Sequence, residues 1–171
     1  MNFGANSLTG RLLRVLLPLF LGALAGCQDA EPEKPTAEQQ AAAAHERALA
    51  ELQSLGAGID VGENSLGRNG VKLDFRGTKL TDQGLERIKA LNPILELYLN
   101  NTAITDAGLT HLTDLKQLQR LCLNGTGVTD AGLEHLTGLS DLEVLTLQDT
   151  KVTPTGVQKL QKALPKAKIF R

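Results

Sequence analysis

ILELYLNNTAITDAGLTHLTDLKQ, residues Ile94–Gln117, runs directly into LQRLCLNGTGVTDAGLEHLTGLSD, residues Leu118–Asp141, and the two stretches align without a gap. The spacing of 24 positions extends on both sides of this pair. Thr78, Thr102, Thr126 and Thr150 keep it, as do Leu73, Leu97, Leu121 and Leu145. So do Phe75, Leu99, Leu123 and Leu147, then Leu80, Ile104, Val128 and Val152, and finally Gly84, Gly108, Gly132 and Gly156. A fixed period of roughly 20–50 residues marks a solenoid, in which each unit buries its apolar face only against its neighbours. Such a chain is a surface for holding other molecules.

Within one unit the alternation Ile94-x-x-Leu97-x-Leu99 predicts a short strand with its leucines inward. Asn100-Asn101-Thr102 turns the chain, and the Thr102 hydroxyl is placed to bond turn backbone groups that would otherwise be buried unpaired. Equivalent hydroxyls in four units would form a ladder. Thr81, Thr105, Thr129 and Thr153 each precede a helical stretch and are expected as N-caps. The next residue is Asp82, Asp106, Asp130 or Pro154, and both types suit the start of a helix, Asp through the dipole and Pro at N1. A glycine two residues further on costs a helix about 1 kcal/mol against alanine, so its recurrence points to close packing against the adjacent unit. Leu109, Leu112 and Leu115 carry the helix's apolar face to the core.

The pattern LxxLxLxxTxxTDxGLxxLxxLxx resembles the leucine-rich repeat family, and its TDAGL segment is similar to the cysteine-containing repeats of F-box proteins and to short bacterial repeat proteins. The likeness covers residues 71–171, with Thr where the family carries Asn or Cys. It implies an α/β leucine-rich repeat solenoid with a short parallel sheet on a concave side and helices on the convex side.

Upstream, Arg11 and Arg14 precede an apolar run, Val15 to Ala25, too short to span a membrane as a helix, which reads as a cleaved signal segment over residues 1–26. Leu24-Ala25-Gly26-Cys27 resembles the bacterial lipobox, which implies a diacylated Cys27 at the mature N-terminus. Gln28 behind it implies, in that family, the outer membrane, facing the periplasm. Residues 27–36 are acidic and broken by Pro32 and Pro35, the composition of an extended tether. Residues 37–70 are expected to form a capping helix and a β-hairpin. Thr36 is the helix's N-cap, Ala41, Ala44, Ala48, Leu49, Leu52 and Leu55 its apolar stripe, and Gly56 its stop. A free Ala-rich helix is marginal in water, so the stripe should dock on the exposed end of the repeats. Ile59-Asp60-Val61 and Val71 to Phe75 alternate as the paired strands.

Beyond residue 26 the chain carries 16 basic and 19 acidic residues, which argues against a nucleic-acid partner. The balance is uneven: net −5 over residues 28–70 and net +2 over residues 71–171. With Cys27 lipidated, Cys122 has no disulfide partner. His111 and His135 are equivalent helix positions with no third ligand repeating beside them, so no metal or other cofactor is expected. No nucleophile–base arrangement or phosphate-cradling loop stands out, so the chain is not expected to be an enzyme.

The alternation assigns the concave face in three rows. Lys72, Glu96, Arg120, Val144 and Lys168 form the first; Asp74, Tyr98, Cys122, Thr146 and Phe170 the second; Arg76, Asn100, Asn124 and Gln148 the third. Such a face is either a ligand surface or a solvated sheet with charges paired across strands. As a ligand surface it would be formed by Lys72, Asp74, Arg76, Glu96, Tyr98, Asn100, Arg120, Cys122, Asn124, Thr146 and Gln148. The expected function is a monomeric, membrane-anchored lipoprotein with a protein-binding repeat module and no catalysis. A structural envelope spacer and an envelope hydrolase are the alternatives.

Overall fold

A computed structural model describes residues 36–63, 69–91 and 93–171. The expected signal segment, the expected lipidation at Cys27, nearly all of the expected tether and the turn expected at 64–68 lie outside the described residues. Helix α1 (Ala37–Ser54) leads into strand β1 (Gly58–Glu63), and β2 (Asn69–Asp74) returns beside it. Then α2 (Asp82–Leu85), β3 (Ile94–Tyr98), α3 (Asp106–Leu109), β4 (Arg120–Cys122), α4 (Asp130–Leu133), β5 (Val144–Thr146), α5 (Pro154–Ala163) and β6 (Lys168–Phe170) alternate. Helices α2, α3 and α4 are single turns that continue as 3₁₀ helix through Leu91, Leu112 and Leu136. Of the repeat helices among the described residues, only α5 stays α-helical for ten residues.

The six strands lie in one sheet in chain order. β1 and β2 are antiparallel, as the alternation predicted, and every later pair is parallel. Register follows the 24-residue period, with Leu97 opposite Leu121, Leu121 opposite Leu145, and Leu145 opposite Ile169. The period therefore brings equivalent positions into contact, and one continuous core runs from Ala48 and Leu52 to Ala167. Leu73, Leu97, Leu121 and Leu145 are fully buried in it, with Phe75, Leu99, Leu123 and Leu147. This mixed α/β arrangement fits a leucine-rich repeat.

The main-chain ladder does not stop where the strands do. Leu99 N donates to Cys122 O (2.8 Å), Asn101 N to Asn124 O (2.8 Å) and Gly125 N to Gln148 O (2.8 Å). For this the chain must turn sharply at one place in every unit, and there Gly77, Asn101, Gly125 and Asp149 have φ of 69, 57, 66 and 56°. Glycine takes this left-handed conformation freely, and Asn and Asp tolerate it best among the others. The four positions keep the period of 24.

Each turn is closed by its threonine. Oγ1 of Thr78, Thr102, Thr126 and Thr150 donates to the carbonyl three residues back, at 2.8, 2.7, 2.6 and 2.6 Å. Four hydroxyls thus serve four turns, as expected, but each bonds within its own unit.

The capping threonines connect units. Thr105 donates its N–H and Oγ1 to the two carboxylate oxygens of Asp82, at 2.8 and 2.6 Å. Thr129 does the same to Asp106 (2.7 and 2.6 Å), and Thr153 to Asp130 (2.7 and 2.6 Å). With the hydroxyl proton directed at the previous unit, the same oxygen accepts from its own helix: Ala107 N to Thr105, Ala131 N to Thr129, Gly156 N to Thr153. Thr81 departs from the expected capping and makes no such bond. One period before Asp82 stands Gly58, so Thr81 has no carboxylate to orient its hydroxyl. Pro154, in turn, sits where the series of carboxylates stops.

Three of the four recurring helix glycines belong to this device, whereas a Cβ at Gly84 would meet Leu80 of its own unit. A Cβ at Gly108, Gly132 or Gly156 would overlap Oδ1 of Asp82, Asp106 or Asp130. The close packing expected from the glycines is therefore packing of the preceding unit's carboxylate over the helix.

Among the described side chains, the contacts of helix α1 with the repeats begin at His45. Ala48 and Leu52 are buried and Leu49 half-buried, whereas Ala44 is exposed and Leu55 is 37% exposed. The Arg87–Glu51 ion pair and the His45 Nδ1–Ala90 O contact (3.1 Å) tie this stretch to the 3₁₀ turn of the first unit. Gly56, with φ of 87°, ends the helix as expected.

Candidate functional site: the open face of the sheet

Strand alternation turns one set of side chains outward, and pairing aligns them. Asp60, Lys72, Glu96, Arg120, Val144 and Lys168 are successive partners, and so are Gly58, Asp74, Tyr98, Cys122, Thr146 and Phe170. β1 thus adds Asp60 to the first row, which the repeat period alone does not reach because the hairpin lies outside it.

Over β2–β4 these side chains form a connected cluster. Arg76 grips the Asp74 carboxylate with Nε (2.9 and 3.0 Å) and its terminal nitrogen (2.6 Å). Tyr98 donates its hydroxyl to Glu96 Oε2 at 2.8 Å. The ring carries two cations beside it, Lys72 Nζ at 5.3 Å and Arg76 Cζ at 5.5 Å from its centroid, within cation–π range. Arg120 stands at the Tyr98 hydroxyl from the next strand, which raises its pKa. Burial pushes the Tyr98 phenol up, and its bond to Glu96 pushes the same way, against Arg120. The Arg76 guanidinium holds the Asp74 carboxyl below its ordinary value.

The remaining expected site residues divide. Asn100 and Asn124 direct their side-chain oxygens along the sheet, accepting from Asn124 N (3.0 Å) and Gln148 N (2.9 Å). They form the unit-to-unit side-chain ladder. Cys122 lies in the outward row but is only 8% exposed, and it is not part of the core cluster. Thr146 is half-buried with its hydroxyl shielded, and Gln148 is exposed at the turn. A cleft of about 190 Å³ opens beside the cluster, lined by Asp60, Lys72, Leu95 and Glu96. His111 and His135 sit half-buried on the 3₁₀ turns away from this face. Among the described residues no group of three or more His, Cys, Asp or Glu is placed to hold a metal, and no helix is long and apolar enough to cross a membrane.

Two roles differ from what the sequence suggests: the left-handed conformation at the turns, and the ladder formed by Asn100 and Asn124, which alternation placed on the ligand face. The left-handed turn positions carry a signal, since Gly, Asn, Gly and Asp recur at 77, 101, 125 and 149. The Asn ladder carries less, because the equivalent positions on either side of Asn100 and Asn124 are Arg76 and Gln148.

No protein-family model and no curated protein matches the chain. Among solved structures, the leucine-rich-repeat ectodomain of the receptor kinase SOBIR1 from Arabidopsis thaliana is similar to it at 15% identity, covering 75% of this chain and 91% of the other, with a TM-score of 0.43.

Proposed function

We propose that the chain is a monomeric, lipid-anchored envelope protein whose repeats form a solenoid with a concave protein-binding face, closed at its first unit by α1 and the β1–β2 hairpin. The observation that supports this most is the division of labour among side chains. Periodic positions (Thr, Asp, Gly, Leu) bond or pack unit against unit, whereas Lys72, Glu96, Tyr98 and Arg120 vary from unit to unit and meet on one open face. The Tyr98–Glu96 hydrogen bond and the Lys72–Tyr98 ring contact hold part of this set in place before any partner arrives, which reduces the ordering cost of binding. The Asn100–Asn124 ladder favours the spacer alternative on the third row, since these side chains serve the scaffold. The binding face is accordingly the first two rows. The module is non-catalytic, and its partner is a protein rather than nucleic acid.

The test is capture of partners from intact envelopes by the full chain, against a variant with Glu96, Tyr98 and Arg120 changed to alanine. Loss of a specific partner from the variant supports the reading, and undiminished capture overturns it. Anchoring is tested separately by mass spectrometry of the mature N-terminus. A diacylglyceryl group on Cys27 is expected, and an unmodified N-terminus at Met1 would exclude it.

A further inference from the structure

The open face is electrostatically uneven, and the unevenness follows strand order. On β1–β3 the charges answer one another. Lys72 lies between its register partners Asp60 and Glu96 and beside the Tyr98 ring, and Arg76 is bridged to Asp74. On β4–β6 the rows read Arg120–Val144–Lys168 and Cys122–Thr146–Phe170; Arg120 shares the Glu96 carboxylate of β3 with Lys72, and Lys168 has no carboxylate as register partner. Phe170 is 51% exposed, and Val144 is half-buried. Glu143 and Asp149, the acids flanking β5, are exposed, and neither forms an ion pair with Lys168.

We propose that the β4–β6 part of this face receives an acidic segment of a partner protein that also carries a large apolar side chain. Its carboxylates lie toward Arg120 and Lys168, and its apolar group on Phe170 and Val144. This rests on the interaction-module reading above and specifies its chemistry. The two cations are two strands apart, about 10 Å at sheet spacing. Between them the aromatic and aliphatic side chains supply apolar area. Tyr98 and Glu96 stand opposite Cys122 and Arg120 on the neighbouring strand, which places Arg120 beside the bonded Tyr98–Glu96 pair. Asp60 and Glu96 further along the face interrupt its positive charge, which disfavours a polyanion long enough to cover it, whether nucleic acid or an anionic membrane. The chain's own acidic stretch, residues 28–36, has Asp29, Glu31 and Glu33 but no large apolar side chain to match Phe170.

The test uses the full chain and a fluorescent pentapeptide of alternating glutamate, leucine and phenylalanine, read by anisotropy. Saturable binding is expected that weakens as salt screens the charges. It should weaken by about tenfold or more in Lys168→Glu and in Arg120→Gln. It should also weaken in Phe170→Ser and be unchanged in Lys162→Glu, an exposed position on α5 away from the sheet. Lys168 and Phe170 are exposed, and circular dichroism verifies that each variant keeps its fold. Equal binding of a peptide with glutamine for glutamate, or no effect of Lys168→Glu, overturns the proposal. Tighter binding of single-stranded DNA, of phosphatidylglycerol vesicles, or of a peptide matching residues 28–36 also overturns it. If partner capture still depends on Glu96, Tyr98 and Arg120 while the acidic peptide fails, only the acidic chemistry falls.

Discussion

Asp106 performs at one position what the whole array requires at every junction. It starts its own helix, accepts two hydrogen bonds from Thr129, and lies over the space that Gly132 leaves empty. Asp106→Ala should lower stability by about 1–3 kcal/mol in urea unfolding, because two donors lose a charged acceptor. Gly132→Ala should also destabilise, by about 1–3 kcal/mol, despite alanine's better helix propensity. The cost should shrink in the Asp106→Ala background, where the carboxylate no longer contests the space. A double-mutant cycle showing no coupling would separate the glycine from the carboxylate. The same chemistry sets an acid dependence. Hydrogen bonds from Thr153 hold the Asp130 carboxyl below its ordinary value, and Arg76 does so for Asp74. A depressed carboxyl pKa contributes stability above the unfolded value and loses it as pH falls through the folded one. The urea midpoint should therefore drop as pH is lowered below about 4, and the drop should be smaller in Asp74→Asn and Asp130→Asn. A flat profile, or one unchanged in both variants, would contradict this.

At the scale of elements, the strand, the turn and the single-turn helix were legible because their determinants lie within a few residues. Alternation at Leu97 and Leu99, Thr102 closing its turn, and Gly56 ending α1 all act locally. What escaped acts 23 or 24 residues away. Asp82 reads as a helix-dipole residue until Thr105 of the next unit is placed against it, and Asn100 reads as a surface amide until Asn124 N reaches it. Cys122 reads as an outward residue because a strand's alternation says nothing about how far its neighbours cover it. Helix α1 shows the same limit: its stripe is apolar along most of its length, yet Ala48 and Leu52 are buried while Ala44 is exposed. Leu52→Ala should cost about 2–5 kcal/mol, whereas Ala44→Glu should leave the unfolding midpoint in place. Comparable losses in both variants would mean that the whole stripe is buried.

At the scale of the molecule, the period both builds the scaffold and frees a surface. Because Leu, Thr, Asp and Gly repeat, unit packs on unit with the same bonds each time, and the outward positions are left to differ. Lys72, Glu96, Tyr98 and Arg120 differ in a way that interlocks, and Val144, Lys168 and Phe170 differ in a way that leaves a cation and an aromatic ring with no carboxylate in their rows on β5 and β6. The period could say which positions vary. It could not say that β1 contributes Asp60, or which neighbouring charges meet, since both depend on how the sheet is paired. The most direct measurement is photocrosslinking in living cells, with the reactive group placed at Thr146 on the open sheet face or at Glu134 on the opposite, helical side. The interaction reading predicts a discrete protein adduct from position 146, lost when Tyr98 and Arg120 are changed to alanine, and none from position 134. Adducts from position 134 alone, or equal adducts from both that ignore Tyr98 and Arg120, would contradict it.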